Sequence, residues 1–139
     1  MDIEEIIENF QFLDDWDDRY KYLIELGATL PEFPEEYQTR ENKVQGCVSQ
    51  VWVKSNKLDE SADPVLEFSG TSDAHIVSGL VAVSFAIFSG QKASKIVETD
   101  EKAIFNEIDL SEHITPQRSN GLKSLVERIK TDARNALQH

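Results

Sequence analysis

The sequence predicts an α+β fold, a small antiparallel sheet of about three strands covered by helices on one face. Three observations lead there. Apolar residues recur at helical spacing over residues 3–27, the period changes to strict alternation after Asn42, and an almost uninterrupted apolar run over 75–88 reads as a helix buried in the middle of the molecule. With 139 residues, 40% hydrophobic and 29% charged, the chain has material for one domain with one core, spanning 1–139.

The elements follow in order. Asp2 with Glu5 three residues later starts a helix carrying Ile3, Ile6, Ile7, Phe10 and Leu13 on one face. Asp14 or Asp15 starts a second, with Trp16, Tyr20, Leu23 and Ile24 inward and Gly27 placed as its left-handed C-terminal cap. Pro31 and Pro34 prevent continuation. Residues 49–55 alternate Val51 and Val53 against Gln50, Trp52 and Lys54, which predicts a strand with one buried face. Its antiparallel partner is expected at 65–69, and Lys43 to Gln45 is a candidate third strand, leaving Gly46-Cys47-Val48 at a turn. Ser72 or Asp73 is the expected cap of the helix His75 to Phe88, with Gly90 closing it. Short helices are expected at 94–98 and 101–108. Thr115 and Pro116 then open a last helix whose buried stripe is Leu122, Leu125, Val126, Ile129 and Ala133.

Charge and residue inventory exclude several function classes. The net charge is −12, and residues 1–42, with 13 acidic against 3 basic side chains, carry −10 of it. Such a surface repels phosphate backbones and anionic lipid, so neither nucleic acid nor membrane is an expected partner. A basic protein surface is the complement, and a plain solvated acidic face is the other reading. No apolar run reaches the length that crosses a bilayer, and the acidic opening Met1 to Glu5 is unlike a targeting segment, which predicts a cytoplasmic location. One cysteine allows no internal disulfide. Cys47, His75, His113 and His139 lack metal-binding spacings, so no metal site is expected.

The chemistry therefore centres on Cys47. Lone cysteines are usually buried and inert. Here Gly46 removes a side chain beside the sulfur, and Gln45, Ser49 and Gln50 are polar, unlike the surroundings of core filler. A thiolate in a loop can attack the outer sulfur of a partner's persulfide without a further catalytic group, since the partner's own thiolate leaves. At an ordinary pKa of ~8.5 only a small fraction is ionised at neutral pH, so a nearby cation would assist. Arg118 is the candidate, with simple pairing to surface carboxylates as its other reading. A Cys–His hydrolase using His75 or His113 is a further reading that their separation in sequence leaves open. Trp16 and Trp52 are read as core anchors, with interface contacts as the alternative.

Five blocks of residues resemble the SufE/CsdE-type sulfur acceptors that partner cysteine desulfurases. They are Asp15-Trp16-x-x-Arg19-Tyr20-x-Tyr22-Leu23-Ile24-Glu25-Leu26-Gly27, then Leu30-Pro31, then Val44-x-Gly46-Cys47-x-Ser49-Gln50-Val51-Trp52. Ser72-Asp73-Ala74-x-Ile76-Val77-x-Gly79-Leu80 and His113-x-Thr115-Pro116-x-Arg118-Ser119-x-Gly121-Leu122 complete the series across about residues 10–130. The connector 56–64 matches no fixed pattern, which leaves the hairpin length open.

The resemblance implies a fold shared with IscU-type scaffolds and a persulfide carried on Cys47. It implies that the chain stimulates the desulfurase rather than acting as a self-sufficient enzyme. The chain itself would need no cofactor, the desulfurase (SufS/CsdA type) carrying pyridoxal phosphate. The next recipient would be an Fe–S scaffold or another acceptor. Gly46, Ser49, Gln50, Asp73 and Arg118 are the expected supporting or partner-binding residues, Asp73 either as an ordinary helix cap or as a positioner of the loop. The resemblance also implies an apolar pocket for the sulfur, with Val48 and Trp52 as its expected lining. A non-covalent regulator of the desulfurase is the alternative function.

Overall fold

The computed structural model describes residues 2–47, 49–110 and 114–137. Helix α1 (Ile3–Phe12) starts where the Asp2 carboxylate accepts the Glu5 amide at 2.9 Å, and it buries Ile6 and Phe10. Helix α2 (Trp16–Ala28) is capped by Asp15, and Phe10 meets Tyr22 edge-on at 5.2 Å between ring centroids.

The expected cap at Gly27 is not one. The helix runs through it to Ala28, and Gly27 has no positive φ. A Cβ there would lie 2.7 Å from the Gly79 amide nitrogen, and one on Gly79 would collide with the Leu23 carbonyl. The two glycines let α2 cross α3 (His75–Phe88) backbone to backbone. Pro31 follows soon after, and its ring is incompatible with further helix.

Strands β1 (Val51–Lys57) and β2 (Val65–Ser72) pair antiparallel, with Val53 opposite Gly70. The third strand is not Lys43 to Gln45. That segment contributes one isolated bridge, Lys43 to Trp52, because the chain turns away at Gly46, whose φ is +89°. The third strand is instead β3 (Gln91–Lys92), on the far side of β2, giving the order β1-β2-β3.

Val51, Val53, Leu66 and Phe68 are buried on one face of the sheet, and Phe68 stacks on Phe85 of α3 at 6.1 Å. Helix α3 carries a nearly continuous apolar surface and ends at Ser89, after which Gly90 (φ +81°) donates to the Leu66 carbonyl at 2.8 Å.

Helices α4 (Ala93–Glu98) and α5 (Glu101–Glu107) lead to α6 (Pro116–Leu137). The Thr115 hydroxyl accepts the Arg118 amide at 3.2 Å, the expected cap. Leu122, Leu125, Val126, Ile129 and Ala133 are buried as the stripe requires. Two cations fix α6 sideways. Lys130 donates to the Thr99 carbonyl at 2.8 Å and pairs with Glu101 at 2.9 Å, while Arg128 pairs with Asp132 at 3.1 Å and reaches the Val53 carbonyl. Among the described residues no helix is long and apolar enough to cross a membrane.

Candidate functional site

The site forms where the loop before β1 meets the first turns of α6. Gly46 adopts a left-handed conformation, and a Cβ on it would lie 2.6 Å from the Ser124 hydroxyl. A larger residue there would be strained by the positive φ and would require the Ser124 hydroxyl to turn aside. Cys47 follows, half-buried, its Sγ donating to the Gly121 carbonyl at 3.5 Å. The other end of the loop is tied to the sheet. Gln50 donates its amide to the Asp73 carboxylate at 3.1 Å, and the Asp73 amide returns a bond to the Gln50 carbonyl at 3.2 Å.

Asp73 is therefore not the cap of α3. The residue at that position is Ala74, which supplies no side-chain bond, and the Ser72 hydroxyl accepts the Ala74 amide at 3.2 Å. Of the two readings for Asp73, the geometry is that of the loop tie. Its carboxylate meets the Gln50 amide because the pairing of β1 with β2, Val51 opposite Ser72, brings residues 50 and 73 side by side.

Cys47 opens onto a cavity of about 280 Å³. Val51, Val77, Leu80, Leu122 and Leu125 give it an apolar wall, and Ser49, Thr115, Gln117 and Arg118 supply polar groups. Arg118 is the one charged side chain among the described residues that line it. The structure thus brings Cys47, Ser49 and Arg118 together, with Gly46 shaping the turn and Gln50 and Asp73 anchoring its exit. Burial pushes the Cys47 thiol above its ordinary pKa, since the anion would lose hydration. The resting thiol is held protonated, and the cavity offers Arg118 as the cation an anionic sulfur would meet.

Other candidates fall elsewhere. The pocket wall is not Trp52, which is absent from the cavity lining; its neighbour Val51 faces inward instead, as the alternation of β1 dictates. Val48 lies outside the described residues, as do His113 and His139. His75 is exposed at the start of α3 and does not line the cavity. Trp16 packs on the core with Tyr20, and the Arg19 guanidinium sits 5.2 Å from its ring centroid. Among the described residues no group of three His, Cys, Asp or Glu is placed to hold a metal ion.

Val77, Leu80, Gln117, Gly121 and Ser124 were not singled out for the site from sequence. Val77 and Leu80 carry a core signal, while Gln117, Gly121 and Ser124 carry none, and only the approach of the loop to α6 makes them part of a site.

Comparison with known proteins agrees on family and fold. A family model for SufE, described as an Fe-S metabolism associated domain, matches residues 4–133. An uncharacterised SufE-like protein of Rhizobium meliloti is 54% identical over 135 residues, covering 97% of this chain and 96% of that one. Another SufE-like protein, from Rhizobium etli, is 52% identical over 132 residues, with 95% and 89% covered. The solution structure of a hypothetical protein from Thermus thermophilus superposes with a TM-score of 0.76 over 99% of this chain and 96% of that one, at 20% identity, which shows a shared fold. By the match across nearly its whole length and by these relatives, the chain belongs to the SufE family, whose domain is associated with Fe–S metabolism.

Proposed function

We propose that the protein is a sulfur carrier, taking sulfane sulfur from the persulfide of a pyridoxal-phosphate-dependent cysteine desulfurase onto Cys47. It then passes that sulfur to an Fe–S scaffold or another acceptor. The observation that carries this reading is the placement of the lone cysteine. It stands after a left-handed glycine, at the edge of a half-apolar cavity that also contains Arg118.

In the transfer step the Cys47 thiolate attacks the outer sulfur of the donor's persulfide. The donor's S–S bond breaks as the Cys47 S–S bond forms, and the donor cysteine leaves as a thiolate. The proton that the Cys47 thiol loses is balanced by the one the departing donor thiolate can take up, so the exchange asks no metal and no general base of this chain. Removing the persulfide frees the donor for another turnover, which accounts for stimulation of the desulfurase.

Ordinary residues of the site have work in this scheme. Gly46 gives the loop its turn, Asp73 and Gln50 hold its far end, and Ser49 and Arg118 supply polar contacts for the sulfur and for the partner. The carrier acts in the cytoplasm, alongside its desulfurase.

A second reading has one observation in its favour. The free thiol is hydrogen-bonded inward and its pKa is raised, which suits a non-covalent regulator with an unreactive cysteine. Intact mass after incubation with desulfurase, cysteine and pyridoxal phosphate separates the two. The carrier gains about 32 Da per sulfur and the regulator gains nothing. With Cys47→Ser, the carrier loses both mass gain and stimulation, and the regulator keeps its stimulation.

A further inference from the structure

A second cavity, of about 420 Å³, is lined by α5 and the first turns of α6 and takes no part in the sulfur chemistry. Among the described residues, Leu122 is the one side chain it shares with the cavity at Cys47. Its apolar wall is Phe105 of α5, Ile114 from the segment before α6, and Leu122 and Val126, one turn apart on α6. Two exposed cations also line it, Lys102 on α5 and Lys123 on α6. Asn106, one turn from Lys102, and Asn120, one turn from Lys123, add side-chain amides.

The charge at this cavity is opposite to that of the chain. The net charge is −12, yet the lining holds two lysines against one carboxylate, and that carboxylate, Glu101, is paired with Lys130 at 2.9 Å. Glu127, one turn along α6 from Lys123, is paired with Arg134 at 3.1 Å. Among the described residues neither Lys102 nor Lys123 makes an ion pair. A single exposed lysine is ordinary solvated surface. Two of them on different helices, uncompensated beside an apolar wall, complement a molecule with an acidic group at one end and an apolar body at the other. The wall excludes water from one side of such a ligand, which strengthens its attraction to the ammonium groups. The volume is that of a small-ligand site.

We propose that this cavity binds a small organic anion, an apolar body bearing a carboxylate, sulfonate or phosphate, with the acid held by Lys102 and Lys123 and the body against Phe105, Leu122 and Val126. The site is independent of the sulfur-carrier reading, since Cys47 has no part in it.

The test titrates the full chain with anilinonaphthalene sulfonate, an aromatic ring system with one acidic group, whose fluorescence rises when it leaves water. Binding to wild type should saturate at a single site. The double variant Lys102→Ala, Lys123→Ala changes exposed positions only, and its affinity should fall about ten-fold or more. Lys102→Arg with Lys123→Arg keeps both charges and should retain binding. Phenylnaphthylamine, the same rings without the sulfonate, should bind wild type about ten-fold more weakly than the sulfonate does. In wild type, the amide chemical-shift changes caused by the sulfonate should centre on Phe105, Asn106 and Lys123. Equal affinity in wild type and the double alanine variant overturns the proposal, as do shift changes centred on any other part of the chain. Neither titration involves a desulfurase or a persulfide, so a failure here is distinct from a failure to accept sulfur.

Discussion

The Cys47 thiol donates to the carbonyl of Gly121, a residue 74 positions along the chain, at 3.5 Å. This contact joins the loop before the sheet to the first turns of the last helix, and it holds the sulfur facing the cavity that Arg118 shares. The chemistry assigned to the chain requires Cys47 to be both sheltered from solvent and able to leave that carbonyl.

Replacing Arg118 with Ala should slow single-turnover sulfur transfer onto Cys47 by about ten-fold, equivalent to losing roughly 1.4 kcal/mol of charge stabilisation of the anionic sulfur as it reacts. Arg118→Lys keeps the charge and should recover much of the rate. Equal rates in wild type and Arg118→Ala would leave the guanidinium without a part in the step.

The raised thiol pKa has a consequence for stability. The folded protein keeps the Cys47 proton where the unfolded chain, titrating near ~8.5, gives it up. The associated stability is full below that range and is lost as pH rises through the folded value. Urea unfolding between about pH 7 and about pH 10 should therefore show wild type losing stability relative to Cys47→Ala. A constant difference across that window would contradict it.

The Asp73 tie predicts a local effect. Asp73→Ala removes the acceptor of the Gln50 amide, and that amide should exchange faster, with little change at the core amides of α3. Asp73→Asn retains an oxygen acceptor and should restore part of the protection. Unchanged exchange at Gln50 in the Ala variant would mean that the bond does not hold the loop in solution.

Much of this fold was legible in the sequence, because period-2 alternation at Val51 and Val53 and the apolar run of α3 each have one structural solution. Thr115 with Pro116 and the stripe from Leu122 to Ala133 likewise carry their own geometry. What was not legible depends on neighbours distant in sequence. Gly27 has the composition of a cap, and only the presence of Gly79 across the helix crossing makes it a point of close approach. Lys43 to Gln45 has strand character, yet Gly46 turns the chain away and β2 takes its other partner from Gln91 and Lys92. In the site, Cys47, Gly46 and Arg118 stood out by residue type. Gly121 and Ser124 did not, since Gly121 enters through its backbone carbonyl and Ser124 through its nearness to Gly46.

The crossing itself can be tested. Gly79→Ala places a methyl group against the Leu23 carbonyl and should cost about 1–3 kcal/mol in urea unfolding, despite the better helix propensity of Ala. A variant as stable as wild type would show that α2 and α3 do not pack this closely.

The most direct measurement follows labelled sulfur. Cysteine carrying sulfur-35 is turned over by a desulfurase in the presence of this protein, and the protein is then digested without reductant. Label is expected on the peptide containing Cys47, released by added thiol and absent from Cys47→Ser. Desulfurase turnover that leaves this chain unlabelled would contradict it.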